Sequence, residues 1–143
     1  CNRYFNFFDQ IARRLKLDSK FKYFKNRIDK YLMKDFKHDR TVKVDWLIGS
    51  FMFMRGEVAR ELDFFDDRFF MYFEDCDLSR RFWEAGHEVH YVHDVKIRHK
   101  HMRDSDKGSA LFSIFTNKVT RIHIISLIKY FLKWGFKKPS FGI

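Results

Sequence analysis

The chain has 143 residues, 45% of them hydrophobic, which is enough for the core of one ordinary domain. Six Gly and one Pro, with no low-complexity tract or repeat, give no sign of a linker between two independent domains. Twenty-nine Lys and Arg against nineteen Asp and Glu leave a net charge of +10, which favours anionic partners and excludes none of phosphates, lipid headgroups or nucleic acid.

The N-terminal Cys1 follows no Met and no secretory leader, so a piece of a longer protein is the expectation. Residues 4–36 repeat apolar side chains at three- and four-residue steps between Lys and Arg, a pattern for two amphipathic helices broken near Asp18 and Ser19, either of which would cap the second. Residues 37–43 are charged and aperiodic and are read as a loop. The run VDWLIGSFMFMR (44–55) then predicts an extended, largely buried segment, with Gly49 allowing close approach of a backbone or ligand. GEVARELDFF predicts a short helix.

The most informative stretch is FDDRFFMYFEDCDLSRRFWEAG, in which Glu74, Asp75 and Asp77 crowd the start of a helical pattern closed by Gly86. Glu74 and Asp77 share a face by spacing, and Asp77 can pair with Arg80 or Arg81, which leaves Asp75 over. An unpaired carboxylate among aromatic residues would hold its proton more tightly and could serve as a positioned base. Equally, all three acids can simply complement the helix macrodipole. Spacing leaves both readings standing.

EVHYVH and VKIRH predict two short strands, and the segment from Ser109 to Phe136 predicts a long amphipathic helix or a broken pair, its cations excluding a membrane span. The histidines His87, His90, His93, His99 and His101 lack zinc-site spacing. His99, at the end of a predicted strand, is the one weighed as a ligand. Cys1 and Cys76 form neither a disulfide framework nor a metal pair and fit a reducing, cytosolic setting; Cys76, within the acidic group, is not a nucleophile. Trp46 beside Gly49 and Ser50 could form a sugar-binding face or could be plain core.

Three blocks in order, VDWLIGSFMFMR, FDDRFFMYFEDCDLSRRFWEAG and YVHDVKIRH, resemble the C-terminal half of family 2 glycosyltransferases, nearest in character to the rhamnosyltransferase-like branch. The likeness is strong over residues 43–99. It implies an α/β architecture, the acceptor-side half of a GT-A fold with a few short strands flanked by helices, in which residues 1–107 form the half-domain and 108–143 a basic amphipathic helical tail. It also implies transfer of a sugar, with rhamnose as one donor, from a nucleotide-diphospho-sugar to a glycan or lipid-linked acceptor with inversion, in cell-surface polysaccharide synthesis. By the same resemblance Asp75 takes the place of the general base and Glu74 of the acid beside it. Trp46, Gly49, Ser50 and Asp67 fall at the acceptor pocket, Asp67 standing where Glu is usual. His99 falls at a metal ligand for Mn²⁺ or Mg²⁺.

Most metal ligands would lie in the missing N-terminal half, since Asp75-Cys76-Asp77 has the letters of a DxD motif but not its strand setting. The half-domain alone is therefore expected to be inactive. Self-association as a homodimer and contact with the inner face of the plasma membrane are further expectations; nucleic acid is not an expected partner. The competing reading is a noncatalytic basic module that binds membrane or nucleic acid.

Overall fold

Phe5 lies at the centre of the structure, its ring contacting Tyr31, Trp46, Phe73, Tyr130 and Phe131 with centroids 5.8–6.3 Å apart. These partners come from every part of the chain, and most of the contacts are edge-to-face, the arrangement that the ring quadrupole favours. The computed structural model describes residues 1–99, 116–136 and 139. Their elements, in order, are α1 (Phe7–Arg14), a 3-10 turn (Leu17–Ser19), α2 (Lys22–Tyr31), β1 (Val42–Lys43), α3 (Gly56–Glu61), α4 (Glu74–Glu84), β2 (His90–Tyr91) and α5 (Lys118–Trp134).

The paired N-terminal helices form as their periodicity predicts, but their caps differ from expectation. Asn6 and Asp9 make a reciprocal capping box at the start of α1, each side chain accepting from the other's backbone N–H at 2.8 and 2.9 Å. Neither Asp18 nor Ser19 caps α2. Its N-cap is Phe21, without a side-chain bond, while the Ser19 hydroxyl donates to the Lys16 carbonyl at 2.7 Å and closes the 3-10 turn instead.

The sheet is smaller than the sequence predicts. β1 and β2 pair antiparallel over two residues, Val42 with Tyr91 and Lys43 with His90, and an isolated bridge joins Asn2 to Trp46. Residues 95–99 are not a strand, and the strand expected over 88–93 is confined to its middle. Alternation of valines was the only support for the longer strands, and without a partner ladder it does not hold them extended. The fold is thus a mixed one, helices around a minimal sheet.

The 44–55 segment is buried only at its start. Val44 is fully enclosed, its N–H bonded to the Val89 carbonyl at 2.9 Å, and Asp45 is buried beside it. From Ile48 onward the chain turns outward and Phe53 is 96% exposed, which corrects the expectation of a largely buried run.

α4 is anchored by Leu78 and Cys76, both buried. Gly86 ends it with φ of +81° and nothing within reach of an added Cβ, so its need for glycine is one of backbone conformation alone. Replacing Gly86 by Ala should cost about 1–2 kcal/mol, read as a lowered Tm with an unchanged far-UV spectrum.

The predicted polar loop at 102–108 and the beginning of the predicted terminal helix, 109–115, lie outside the described residues. The rest of that helix, α5, starts at the cap Asn117 and sends Leu127, Tyr130 and Phe131 into the same core as α1 and α4. Among the described residues no helix is long and apolar enough to cross a membrane.

Candidate active site

The entry to α4 is unusual. Tyr72 and Phe73, with φ of 68° and 67°, are consecutive non-glycine residues in the left-handed region, a conformation that costs energy and persists only when the surroundings enforce it. Phe73 is enforced by the core, where its ring meets Phe5 and Tyr130. The sharp turn this creates delivers the first residues of α4, Glu74 and Asp75, against the turn at Gly49.

There Asp75 accepts a hydrogen bond from the Gly49 N–H at 2.8 Å and a second from the Cys76 N–H at 2.7 Å. A Cβ placed on Gly49 would lie 3.4 Å from the Asp75 Cβ and 3.7 Å from Glu74 Oε1, so both carboxyl groups converge on this glycine. This corrects the inference from helical spacing that Glu74 shares its face with Asp77 and leaves Asp75 over. Spacing assumes that a carboxylate follows its Cβ direction, whereas here two acids in the first turn lean toward the same loop.

Asp77 separates from both. It is fully buried, paired with Arg81 at 2.9 Å and Lys133 at 2.7 Å, and accepts from the Trp134 indole N–H at 2.6 Å. Its expected helical partner is therefore present, in Arg81. The α5 partners, more than fifty positions away in the chain, carry no local signal.

Burial pushes the carboxyl of Asp75 upward from the usual carboxylate range, opposed by the N–H bonds from Gly49 and Cys76. Glu74 is raised too, first by burial and then by the negative charge of Asp75. Glu74 Oε2 is buried without a hydrogen-bond partner among the described residues. The pair has an internal order: backbone N–H groups from two other residues support the ionised form of Asp75, whereas Glu74 faces a neighbouring charge and has an unsatisfied oxygen. Two raised carboxyls side by side, one of them supplied with N–H donors for its ionised form, are an arrangement in which one carboxyl can accept a proton while the other donates a hydrogen bond. Among the described residues no Lys, Arg or His forms a salt bridge with either.

The residues on either side of Gly49, Ile48 and Ser50, line a cleft of about 920 Å³ whose walls also include Phe51, Phe53, Val95 and Ile97. Gly49 and Ser50 are exposed in the turn, as an acceptor-facing position requires. Trp46 is half-buried: its ring packs against Phe5 and its indole N–H donates to the Arg3 carbonyl at 3.1 Å, so it belongs to the support of the turn. Asp67 is exposed, while its neighbour Asp66, not singled out from the sequence, accepts from Lys133 and Arg68. Although burial opposes it, those bonds hold the Asp66 carboxyl well below its ordinary range. The Cys76 thiol is pushed well above its usual range by burial, in keeping with an inert side chain.

His99 is exposed at the end of the irregular stretch that follows β2. Among the described residues no three His, Cys, Asp or Glu side chains gather in a way that could hold a metal ion. The described residues therefore do not by themselves fit a divalent cation.

The chain belongs to glycosyl transferase family group 2, whose model matches residues 21–131. Among curated proteins it is similar to rhamnosyltransferase WbbL of Escherichia coli (strain K12), 36% identical over 90 residues that make up 61% of this chain and 30% of that protein. It is also similar to the N-acetylglucosaminyl-diphospho-decaprenol L-rhamnosyltransferase of Mycobacterium tuberculosis (strain ATCC 25618 / H37Rv), 32% identical over 81 residues, 57% of this chain and 26% of that protein. The chain thus spans less than a third of the length of the curated relatives it matches. No solved structure matches it significantly.

Proposed function

We propose that this chain is the acceptor-side half of an inverting glycosyltransferase that moves a sugar, rhamnose by analogy with the relatives' names, from a nucleotide-diphospho-sugar to a lipid-linked or glycan hydroxyl. The observation that carries the proposal is the carboxyl pair at Gly49: Asp75, oriented by two N–H bonds and without a salt-bridge partner among the described residues, beside a second raised carboxyl, both packed against a turn whose flanking residues Ile48 and Ser50, though not the carboxyls themselves, line the cleft. In a single displacement the acceptor hydroxyl must lose its proton as the donor's bond to diphosphate breaks. Asp75 receives that proton, and Glu74, protonated, orients the hydroxyl or its water. The exposed Gly49–Ser50 turn leaves room for the acceptor beside the base.

The donor site, and any divalent cation that neutralises the leaving diphosphate, take their ligands from outside the described residues. Reaction on the cytoplasmic side of a membrane fits a lipid-linked acceptor and two unpaired cysteines.

The pH dependence of kcat/KM for the intact transferase tests the base. Because the Asp75 carboxyl is raised, it is protonated and idle at pH values where an ordinary Asp would already be ionised. Activity should therefore fall on the acid side along a limb set above the usual carboxylate range. A limb at or below pH 4, the range of an unperturbed carboxyl, would remove Asp75 as the base.

A further inference from the structure

α1 and α5 lie side by side and antiparallel. At one end Arg14 Nη2 donates to Thr120 Oγ1 at 2.7 Å; at the other, the Phe7 ring meets Phe131 at 5.2 Å and Phe136 at 5.6 Å. Each helix turns from this shared edge toward the core in one rotational sense and toward solvent in the other. Because the helices run in opposite directions, their solvent sides fall on one face of the molecule.

Those solvent sides carry large apolar side chains interspersed with cations. α5 buries Leu127, Tyr130 and Phe131, yet Ile125, Ile128 and Leu132, spaced three and four apart, point away from them, Leu132 being 80% exposed. On α1, Phe8 is 71% exposed and Leu15, one residue past its end, is exposed on the same arc; Phe136 continues the surface past the end of α5. Six large hydrophobic side chains on one face exceed what a scattered surface residue explains.

On the outward arcs of the two helices the charges are cationic among the described residues. Lys118, Arg121 and Lys129 share the outward arc of α5, Lys129 Nζ also donating to the Arg68 carbonyl at 2.7 Å, and Lys16 follows Leu15 at the end of α1, with Asp18 two residues beyond. α5 contains no Asp or Glu, and the acid within α1, Asp9, is buried and bound by Arg27. A second copy of this face would bring cation against cation across a two-fold axis, which disfavours a dimer through it. An acidic lipid surface meets both features: phosphates at the cationic rim, and acyl chains beneath the apolar stripe.

We infer that the α1–α5 face is a membrane-docking surface that rests on an anionic bilayer without spanning it. The inference stands apart from the sugar-transfer reading, since none of these side chains belongs to the carboxyl pair.

Co-sedimentation of the intact polypeptide with vesicles of phosphatidylglycerol and phosphatidylcholine tests it. Binding is expected to the mixed vesicles, to weaken with salt, and to be at least tenfold weaker on phosphatidylcholine alone. Phe8→Glu with Leu132→Glu should lower partitioning at least tenfold, and Lys16→Glu with Lys118→Glu by several-fold for each charge. All of these positions are exposed, and an unchanged far-UV spectrum and Tm would show that the fold is kept; Leu132→Ser serves as a milder check. Asp75→Asn should bind vesicles undiminished, which separates this result from that of the catalytic test. Absence of binding to the anionic vesicles overturns the inference, as does binding indifferent to Phe8→Glu with Leu132→Glu. A lipid-free dimer dissolved by the same pair would assign the face to a second copy instead.

Discussion

Asp75→Asn in the intact transferase is expected to lower kcat by about 10²- to 10⁴-fold, the contribution of a positioned base, with little change in KM. The substitution is nearly isosteric. Its single carbonyl oxygen can accept from the Gly49 N–H or from the Cys76 N–H but not from both, so an unchanged far-UV spectrum is required beside the kinetics to show that the α4 entry is kept while proton transfer is lost. Glu74→Gln supplies the contrast: if Glu74 works protonated, the amide retains a donor and activity should fall far less. Loss of activity in Glu74→Gln with retention in Asp75→Asn would exchange the two roles.

The same substitution has a stability signature of opposite sign. A carboxyl whose folded pKa is raised destabilises the fold wherever it is ionised, and the penalty disappears as pH falls below its unfolded value. Asp75→Asn removes that penalty but also one of the two N–H bonds, so its Tm relative to the parent should be higher at pH 7 than in acid. A variant that is better folded yet inactive is the pattern of a site held at some cost to stability.

Asp77→Ala is expected to be the most damaging single change to the fold, about 3–5 kcal/mol, measured by urea denaturation. Its carboxylate is fully buried and holds Arg81, Lys133 and the Trp134 indole together. Removing it strands cationic groups inside the protein, although Lys133 keeps Asp66 and Arg81 keeps its bonds to the Leu62 and Phe64 carbonyls. Adding Lys133→Met to Asp77→Ala should recover part of the loss, since the stranded charge is then gone. A loss below about 1 kcal/mol would place Asp77 with ordinary surface pairs.

The contrast between Asp75 and Asp77 shows what can be read from residues in order and what cannot. Helical periodicity located α1, α2 and α4, and helical spacing offered Arg80 or Arg81 as the Asp77 partner, of which Arg81 is the one that pairs, because these are local relations. The left-handed pair at Tyr72 and Phe73 has no compositional mark, since neither residue is Gly, Asn or Asp; only the core that holds Phe73 makes it visible. That pair determines where Glu74 points, which is why spacing alone misassigned the relation of Glu74 to Asp75. Lys133 and Trp134 were equally hidden, being brought to Asp77 by the packing of a helix remote in the chain. Val95 to His99 failed in the other direction: a strand-like pattern without a neighbouring strand forms no ladder.

The central ring of Phe5 meets Tyr31, Phe73 and Phe131, which spread across almost the whole length of the chain. Such distant encounters close large loops before they gain any contact energy, so assembly should be slow and the early helices should wait, incompletely covered, until α5 has been synthesised. Chains stalled on the ribosome before Phe131 emerges would then present greasy, chaperone-binding surface, and protease resistance of this region would arrive only with α5.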